Sequence, residues 1–489
     1  MNILFIYSIY DICSPQKPLG RFDQIAYGIS YLSAVLKKNG HATQLLVAGS
    51  SLDDIPRRLL DETINSFQPA LICFTVVYSE YLFVTSMARY IKSRYPHIFI
   101  AVGGVHASLN PEQVIAEAFD AVCIGEGEYP VVELAAQLEK GLTPSGISNF
   151  WFKRDGRIEK NPLRPFLKNL DELPFPDRKM WEPWIENIPR LTYASVLLGR
   201  GCPFECTYCC NHAQKKLTTG TYVRLRSPDN IVAEIKEVIA ENHRIRTFGL
   251  EMDTIAANKN WLLELCSLLE DLNRTLAEPL SFEVNLRITP GADFSDIFAA
   301  MQKSHFTVVN IGVESGSERF RREVLRRNYS NEDIRRFVEE AHRYGLKVFF
   351  YNIIGVPGET WDDFRQTVEV NRSCAPDGHY VYIFFPYPGT DLFARCQEQG
   401  LLKGSWATSG ERTESKFAIP GFTRRQIRHN LIWFNYHVAR GKRNRYKLFM
   451  AACLTEFLAE LKAISWFYRS YGWLRHRPSF RRLRRFLTR

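Results

Sequence analysis

Cys202, Cys206 and Cys209 form a C-x3-C-x2-C run within Gly199-Arg200-Gly201-Cys202-Pro203-Phe204-Glu205-Cys206-Thr207-Tyr208-Cys209. Three thiolates on one loop can hold three irons of a 4Fe-4S cluster. The fourth iron then has no protein ligand and is open to the amino and carboxylate groups of a small molecule. Zinc is the rival, because Cys202, Cys206, Cys209 and His212 would make a four-ligand site, with Cys210 as a substitute thiol. The spacing favours iron–sulfur over zinc, and zinc over a structural role. Cys210 is read as a non-ligand.

The elements that carry this loop are legible around it. It follows a strand at Ala194–Leu198, and strand-like runs continue at Thr247–Glu251, Phe282–Leu286, Val308–Val313, Val348–Ile354 and Tyr380–Phe385. Helical patterns intervene at Asp229–Glu241, Lys259–Leu272, Phe294–Gln302, Asn331–Tyr344 and Thr360–Arg372. Six β/α units make a partial TIM-like barrel, too few to close the eight-stranded form, so a lateral gap is expected. Functional residues of such a barrel sit at the carboxyl ends of its strands. There stand Glu251 and Asp253, Arg287, Glu314-Ser315-Gly316, Gly355 to Thr360, and Pro386 to Thr390. Taken singly, each is also a turn or a helix cap, as Ser315 and Thr360 would be.

Upstream, apolar runs at Ile3–Tyr7, Gln44–Ala48, Leu71–Val77, Ile98–Val102 and Ala121–Gly125 alternate with helical patterns at Gln24–Lys38, Asp53–Phe67, Glu80–Arg94 and Pro111–Phe119. Alternation of this kind predicts a doubly wound parallel sheet that binds ligands at its carboxyl edge. No G-x-G-x-x-G follows the first strand, so a dinucleotide is weakly supported. Gly103-Gly104 and Gly125-Glu126-Gly127-Glu128 follow the fourth and fifth strands. They are either two tight turns or places where backbone approaches a flat ligand. Leu142 to Leu191, with Pro162, Pro165, Pro174, Pro176, Pro183 and Pro189, reads as an extended linker between domains.

Composition narrows the class. The 489 residues are 45% hydrophobic and 24% charged, which excludes wholesale disorder and collagen-like structure. Eleven cysteines, unevenly clustered, suit bound metal in a reducing compartment better than a disulfide scaffold. No secretory signal or charge-free apolar span is visible, so the default location is the cytoplasm. Of the 63 Lys and Arg, 17 lie from Phe422 to Arg489, with only 2 of the 53 Asp and Glu. That segment therefore carries +15 and the rest −5, against +10 overall. Helices are expected over Arg424–Val438 and Leu448–Tyr468, and Phe480, Leu483, Phe486 and Leu487 line one face of a last arginine-rich stretch. A basic amphipathic helix can lie on an anionic membrane surface, here the inner face. Nucleic acid ranks lower, since no RNA-binding motif accompanies the charge. A solvated helix packed on its own barrel is the plain alternative.

The cysteine loop, with Tyr208 before its third Cys, resembles the radical S-adenosylmethionine (SAM) signature. Ile311-Gly312-Val313-Glu314-Ser315-Gly316-Ser317, Gly355-Val356-Pro357-Gly358-Glu359-Thr360 and Tyr387-Pro388-Gly389-Thr390 resemble segments of cobalamin-dependent radical SAM enzymes. Val102-Gly103-Gly104-Val105-His106-Ala107-Ser108, Asp120 to Glu128, and Tyr27-Gly28-Ile29-Ser30-Tyr31-Leu32 resemble the cobalamin-binding domain that precedes many of them, and Leu170 to Pro176 resembles its connector. The D-x-H-x-x-G motif of the mutases is absent, and Met252 stands where the family often has the first of two aspartates.

The resemblance covers about residues 1–395. It implies four regions: a Rossmann-like cobalamin-binding domain over 1–141, a linker over 142–191, a (β/α)6 radical SAM barrel over 192–395, and a helical basic region over 396–489. It implies a cluster on Cys202, Cys206 and Cys209, and Tyr208 near the adenine of SAM. Glu314 and Ser315 become candidate SAM contacts, and Arg287 meets the SAM carboxylate or the substrate. Cobalamin lies against Gly103, Gly104, Gly125, Glu126 and Gly127; His106 is a polar loop residue first and an axial ligand second. The implied chemistry is cleavage of SAM to a 5′-deoxyadenosyl radical, fed by an external electron donor. Methylcobalamin then methylates an unactivated carbon of a lipid or secondary metabolite, and a second SAM restores its methyl group. Cofactors carry the hard steps, so no side-chain base is named. The rivals are a radical SAM cyclase or rearrangement enzyme, a non-catalytic corrinoid or zinc protein, and a radical SAM enzyme acting on RNA.

Overall fold

Runs of β-branched and aromatic residues form β1 (Asn2–Ile9), β2 (Ala42–Gly49), β3 (Leu71–Thr75), β4 (Phe99–Gly103) and β5 (Ala121–Cys123). The computed structural model describes residues 1–9, 17–20, 25–49, 57–186, 188–252, 255, 258–402, 411–416, 419–439 and 445–461. The five strands are parallel and lie in the order β2-β1-β3-β4-β5. They read as continuous apolar runs because both faces are covered. Ile3 and Phe5 pack with Ile29, Leu36, Val131 and Leu134 on one side. Leu4 and Ile6 pack with Leu60, Ile64, Val84 and Met87 on the other. This is the doubly wound arrangement expected from the alternation.

The proline-rich stretch holds more than an extended linker. Within it, β6 (Phe150–Arg154) and β7 (Arg157–Lys160) form an antiparallel hairpin that extends the same sheet beyond β5. Its turn is Asp155-Gly156, with φ of 46° and 75°. Asp-Gly is a preferred two-residue hairpin turn, a local signal that the surrounding prolines outweighed in the sequence reading.

The second sheet is all parallel: β8 (Tyr193–Leu197), then, beyond a two-residue pair of β9 (Gly199–Arg200) with β10 (Arg224–Leu225), β11 (Thr247–Glu251), β12 (Ser281–Leu286), β13 (Phe306–Glu314), β14 (Lys347–Ile354) and β15 (Gly378–Ile383). Its order, β15-β14-β13-β12-β11-β8, leaves β8 and β15 as edges, so the barrel is partial and open on one side. Alternate residues separate inside from outside. Phe282, Val284, Val309, Ile311, Val348 and Phe350 face the helical layer and form the largest core cluster. Their neighbours Glu283, Asn285, Asn310, Phe349 and Tyr351 face the barrel interior and are only half-buried.

Capping fixes where the barrel helices begin. Ser330 and Thr360 form capping boxes with Asp333 and Asp363 at the starts of Asn331–Arg343 and Trp361–Ser373. Thr360 is thus the expected cap, whereas the cap after β13 is Ser317 rather than Ser315. Helix Arg424–Val438 packs on Trp361–Ser373 and β15, and helix Arg445–Leu461 packs on Arg424–Val438. The last basic stretch, with Phe480, Leu483, Phe486 and Leu487, lies outside the described residues. Among the described residues no helix is long and apolar enough to cross a membrane.

Candidate active site between the two sheets

The cysteine loop starts where β8 ends and is shaped by a close backbone crossing. Gly201 has φ of 88°, and a Cβ there would run into the Tyr222 carbonyl. Only glycine serves at that point. Cys202 and Cys206 are buried, Cys209 is half-buried, and none of the three is bridged by a disulfide. Arg287, at the end of β12, donates from Nη1 to Cys206 Sγ at 3.0 Å, and its guanidinium stacks 3.6 Å from the centroid of Phe204. The sequence placed Arg287 at a SAM carboxylate or substrate; here it reaches the cysteine loop itself.

His212 has one ring nitrogen committed to an aspartate. Its Nε2 lies 3.1 Å from Asp391 Oδ1, and Asp391 also pairs with Arg326 at 2.5 Å. Among the described residues no three or more His, Cys, Asp or Glu side chains are grouped to hold a metal ion, so the four-ligand zinc set is not assembled. A cubane makes a different demand. Each thiolate meets its own iron, so the sulfurs stand apart around one loop rather than converging on a point. Three unbridged cysteines on a loop over the barrel mouth suit that donor set.

At the neighbouring strand end the backbone is strained. Glu314 sits at φ of 62°, in the left-handed region, where the register of β13 against β14 shifts. Such strain persists where the surroundings fix it, and it concentrates at functional sites. Here the surroundings are Arg327 and Tyr329. Arg327 Nη2 meets Glu314 Oε1 at 2.9 Å, while Arg327 Nη1 and the Tyr329 hydroxyl both donate to the Gly312 carbonyl, at 2.8 and 2.7 Å. Tyr208 lies with its ring 5.7 Å from the Arg327 guanidinium. Its hydroxyl is buried without a hydrogen-bond partner, and burial raises its pKa well above that of an ordinary tyrosine. Ser315 is fully buried, with its hydroxyl 3.3 Å from Thr367 Oγ1 and accepting from the Ser317 N–H. Its side chain therefore braces the turn against a barrel helix.

Glu359 closes the loop after β14. Its Oε2 accepts from the Gly355 and Val356 N–H groups at 2.5 and 3.3 Å, while Oε1 is buried with no partner. Burial pushes its pKa up to about 8, so the carboxyl is neutral at pH 7. Of the pair expected after β11, Glu251 is the last residue of that strand, and Asp253 lies outside the described residues.

Opposite this mouth stands the carboxyl edge of the N-terminal sheet. Gly104 follows β4 at φ of 100°, and a Cβ there would sit 2.7 Å from Thr75 Oγ1 and 2.9 Å from Val76 N and O. His106 is not a polar loop residue. It belongs to the short helix Val105–Leu109, is 3% exposed, and lies between the rings of Tyr78 and Tyr81 at 4.9 Å each. Its Nε2 is buried without a partner, and burial lowers its pKa to about 4, so the ring is neutral. Tyr78 in turn lies 6.3 Å from Phe385, just past β15.

Gly125 and Gly127 flank Glu126, whose carboxylate is committed to the other sheet's loops. Arg200 Nη1 reaches Glu126 Oε1 at 2.9 Å, and Arg224 Nη1 reaches both oxygens at 2.9 Å. The Leu167 N–H donates to Oε2 at 2.7 Å, and Arg200 Nη2 bonds Glu128 Oε1 at 2.6 Å. Burial disfavours the charged carboxylate, but the Arg224 hydrogen bond and the two guanidinium charges prevail and hold Glu126 below the usual carboxylate range. Glu126 was expected at cobalamin; its oxygens tie the N-terminal sheet to Arg200, two residues before Cys202. Arg200, Arg224 and Arg327 escaped the sequence reading. Arg200 carried one signal, adjacency to the cysteine run, and the other two carried none.

Both sheets thus present glycine-bearing loops to one another across a narrow seam. Gly103 and Gly104 hold the turn after β4 tight against its neighbours, since a Cβ would meet Cys123 at the first and Thr75 and Val76 at the second. The buried, unpartnered Tyr208 hydroxyl suits a polar ligand at the cysteine loop, and Glu359 Oε1 is a second such oxygen, on the loop after β14.

Two family models match the chain: the radical SAM superfamily over residues 196–370 and the B12 binding domain over residues 21–135. An uncharacterized methyltransferase of Pyrococcus horikoshii is 25% identical over 378 residues, covering 77% of this chain and 79% of that one. Anaerobic magnesium-protoporphyrin IX monomethyl ester cyclase of Rubrivivax gelatinosus is 24% identical over 375 residues, 75% of this chain and 65% of that one, so this chain spans just under two thirds of the cyclase. Among solved structures, a radical S-adenosylmethionine methyltransferase of Kitasatospora setae, with tryptophan substrate and a SAM analogue bound, superposes with a TM-score of 0.64. The match covers 83% of this chain and 77% of that one at 17% identity, a likeness of fold.

Proposed function

This chain joins a B12-binding domain to a radical SAM domain, and with them a 4Fe-4S cluster, SAM and cobalamin as cofactors; from that premise we propose that it methylates an unactivated carbon of a small molecule, a lipid or a secondary metabolite. It is a radical SAM enzyme of the cobalamin-dependent, methyltransferase-like kind. One observation carries the finer reading. The carboxyl edges of the two sheets face one another, and Arg200 and Arg224 fasten the cysteine loop to Glu126 and Glu128. A corrinoid held by residues 1–141 would then lie over the mouth of the barrel formed by 192–395, as methyl delivery to a substrate in that mouth requires.

The roles of the residues follow. Cys202, Cys206 and Cys209 hold the cluster, and Arg287 orients Cys206. Tyr208 and Glu314 border SAM, with Arg327 fixing the strained Glu314 backbone and carboxylate. Gly103, Gly104, Gly125 and Gly127, on the turns after β4 and β5, would hold the corrinoid, with His106 two residues beyond Gly104. When bound, these groups supply reductive cleavage of the sulfonium and the methyl group to be transferred. The protein's own tasks are to hold them in register and to exclude water from the seam.

The partners are an external one-electron donor, a small-molecule substrate and, at the periphery, an anionic membrane surface. Tyr446, Met450 and Phe457 line one exposed face of helix Arg445–Leu461, at 87%, 64% and 58% exposure, within the segment of net charge +15. Co-sedimentation with anionic vesicles, with and without residues 471–489, tests that contact; equal, negligible binding by both removes it.

Anaerobic reconstitution with iron, sulfide and cobalamin tests the central reading. About four irons per chain, with both 5′-deoxyadenosine and S-adenosylhomocysteine on addition of SAM and a reductant, is the expected result. Deoxyadenosine without S-adenosylhomocysteine would favour cyclisation or rearrangement. Zinc with SAM intact would overturn the proposal.

A further inference from the structure

Arg200, Arg224, Arg287 and Arg327 border the cysteine loop, and three of them are matched by carboxylates. Arg200 pairs with Glu126 and Glu128, Arg224 with Glu126, and Arg327 with Glu314. Arg287 differs. Among the described residues no carboxylate pairs with it, and its Nη1 donates to Cys206 Sγ at 3.0 Å. Its side chain is also anchored. It leaves the chain just after β12, and its guanidinium lies 3.6 Å from the centroid of Phe204, a ring in the stretch between Cys202 and Cys206. Stacking on an aromatic face fixes the plane of a guanidinium and with it the direction of its N–H groups.

A charge placed there acts on whatever the thiolate holds. Cys206 is 5% exposed and Arg287 is half-buried, so water screens the pair poorly. Three thiolates leave a 4Fe-4S cluster with a net negative charge. Its one-electron reduction adds another negative charge, with no bond made or broken. Hydrogen bonds to the ligand sulfurs and cations close to them favour the more negative state, which raises the reduction potential. Cys209, by comparison, accepts from Asn211 Nδ2 at 3.6 Å, a neutral amide and a weaker donor.

We propose that Arg287 is a positioning residue that sets the reduction potential of the cluster. Its guanidinium, aimed by Phe204, holds Cys206 Sγ in a charge-assisted hydrogen bond and makes the cluster easier for the external one-electron donor to reduce. The inference rests on the cluster assignment above. It departs from the contact with the SAM carboxylate or substrate read from the sequence, because the effect is present before either ligand binds.

A redox titration of the reconstituted full chain tests this, followed by electron paramagnetic resonance of the reduced cluster and run without SAM. Iron content and the visible spectrum verify that each variant is loaded. Arg287→Met is expected to make reduction about tenfold less favourable, a fall in midpoint of about 59 mV for one electron. Arg287→Lys keeps the charge without the planar stack, and Phe204→Leu keeps the guanidinium without its anchor. Each is expected to make reduction about threefold less favourable. A wild-type midpoint in Arg287→Met overturns the proposal. Where that variant loads no iron, wild-type midpoints in the other two overturn it. Weaker SAM binding in equilibrium dialysis with an unchanged midpoint also overturns it, by assigning Arg287 to the SAM carboxylate. If the wild-type protein holds no iron, the cluster assignment has failed; if it holds about four irons and the midpoints do not move, only the role of Arg287 has.

Discussion

The loops that leave the two sheets at their facing ends are held in contrasting ways. On the N-terminal side the loop after β5 has its polar groups spoken for, although His106 Nε2, after β4, is buried without a partner. Glu126 takes Arg200, Arg224 and the Leu167 N–H, Glu128 takes Arg200, and Asn149 donates to the Glu126 carbonyl. On the barrel side several are left over: the Tyr208 hydroxyl, Glu359 Oε1 and His212 Nδ1 are buried with no partner. The barrel side also carries the strained backbone, at Glu314. Buried polar groups are nearly always paired in a finished interior. The loop after β5 is therefore built as a joint, whereas the barrel mouth keeps more buried polar atoms open to a ligand.

The largest test of the contrast removes the ligand-taking side. Alanine at Cys202, Cys206 and Cys209 together is expected to abolish iron binding and deoxyadenosine formation, read by iron analysis and chromatography. Retention of four irons would end the assignment. On the joint side, Arg224→Met leaves Glu126 short of its only contact to both oxygens. Glu126 keeps Arg200 and the Leu167 N–H, so losing this charged hydrogen bond is expected to cost about 2 kcal/mol, to be measured by denaturant unfolding. A variant as stable as wild type would show that the joint is ornamental.

Gly104→Ala probes the turn after β4. A Cβ at φ of 100° with backbone atoms 2.9 Å away is expected to cost about 2 kcal/mol. It should also reduce the cobalamin retained after gel filtration, and unchanged retention would move the corrinoid elsewhere. The last test is a pH slope. Glu359 has a folded pKa of about 8 against an ordinary value of 4.5, so between those values the native state binds the extra proton. Its contribution to stability therefore falls as pH rises from about 4.5 to 8 and is flat above that. Glu359→Gln removes the slope, so melting curves of variant and wild type should diverge in the variant's favour from pH 5 to pH 8. Parallel curves would place a partner on Glu359 Oε1.

Much of the fold was legible because its signals are local. The strand at Thr247–Glu251 and the helix at Arg424–Val438 coincide with their sequence readings end to end. The hairpin of Phe150–Arg154 and Arg157–Lys160 was missed although its Asp155-Gly156 turn was in view, because proline content dominated the reading. In the site, the cysteine spacing was readable, while roles resting on side-chain direction were not. Ser315 faces Thr367, His106 is enclosed by Tyr78 and Tyr81, and Glu126 is held by arginines 74 and 98 residues away.

The sequence by itself determined the order of strands and helices, the cysteine loop and the glycines that let backbone pass closely, since each depends on residues a few positions apart. Only the tertiary structure decided which distant groups meet. The Glu126–Arg224 pair, the Glu314–Arg327 pair and the stacked rings of Phe349, Tyr351, Tyr380 and Tyr382 arise from sheet register and from two sheets docking edge to edge. Those are sums of many weak contacts over the whole chain, and no local pattern of residues encodes where they will bring two side chains together.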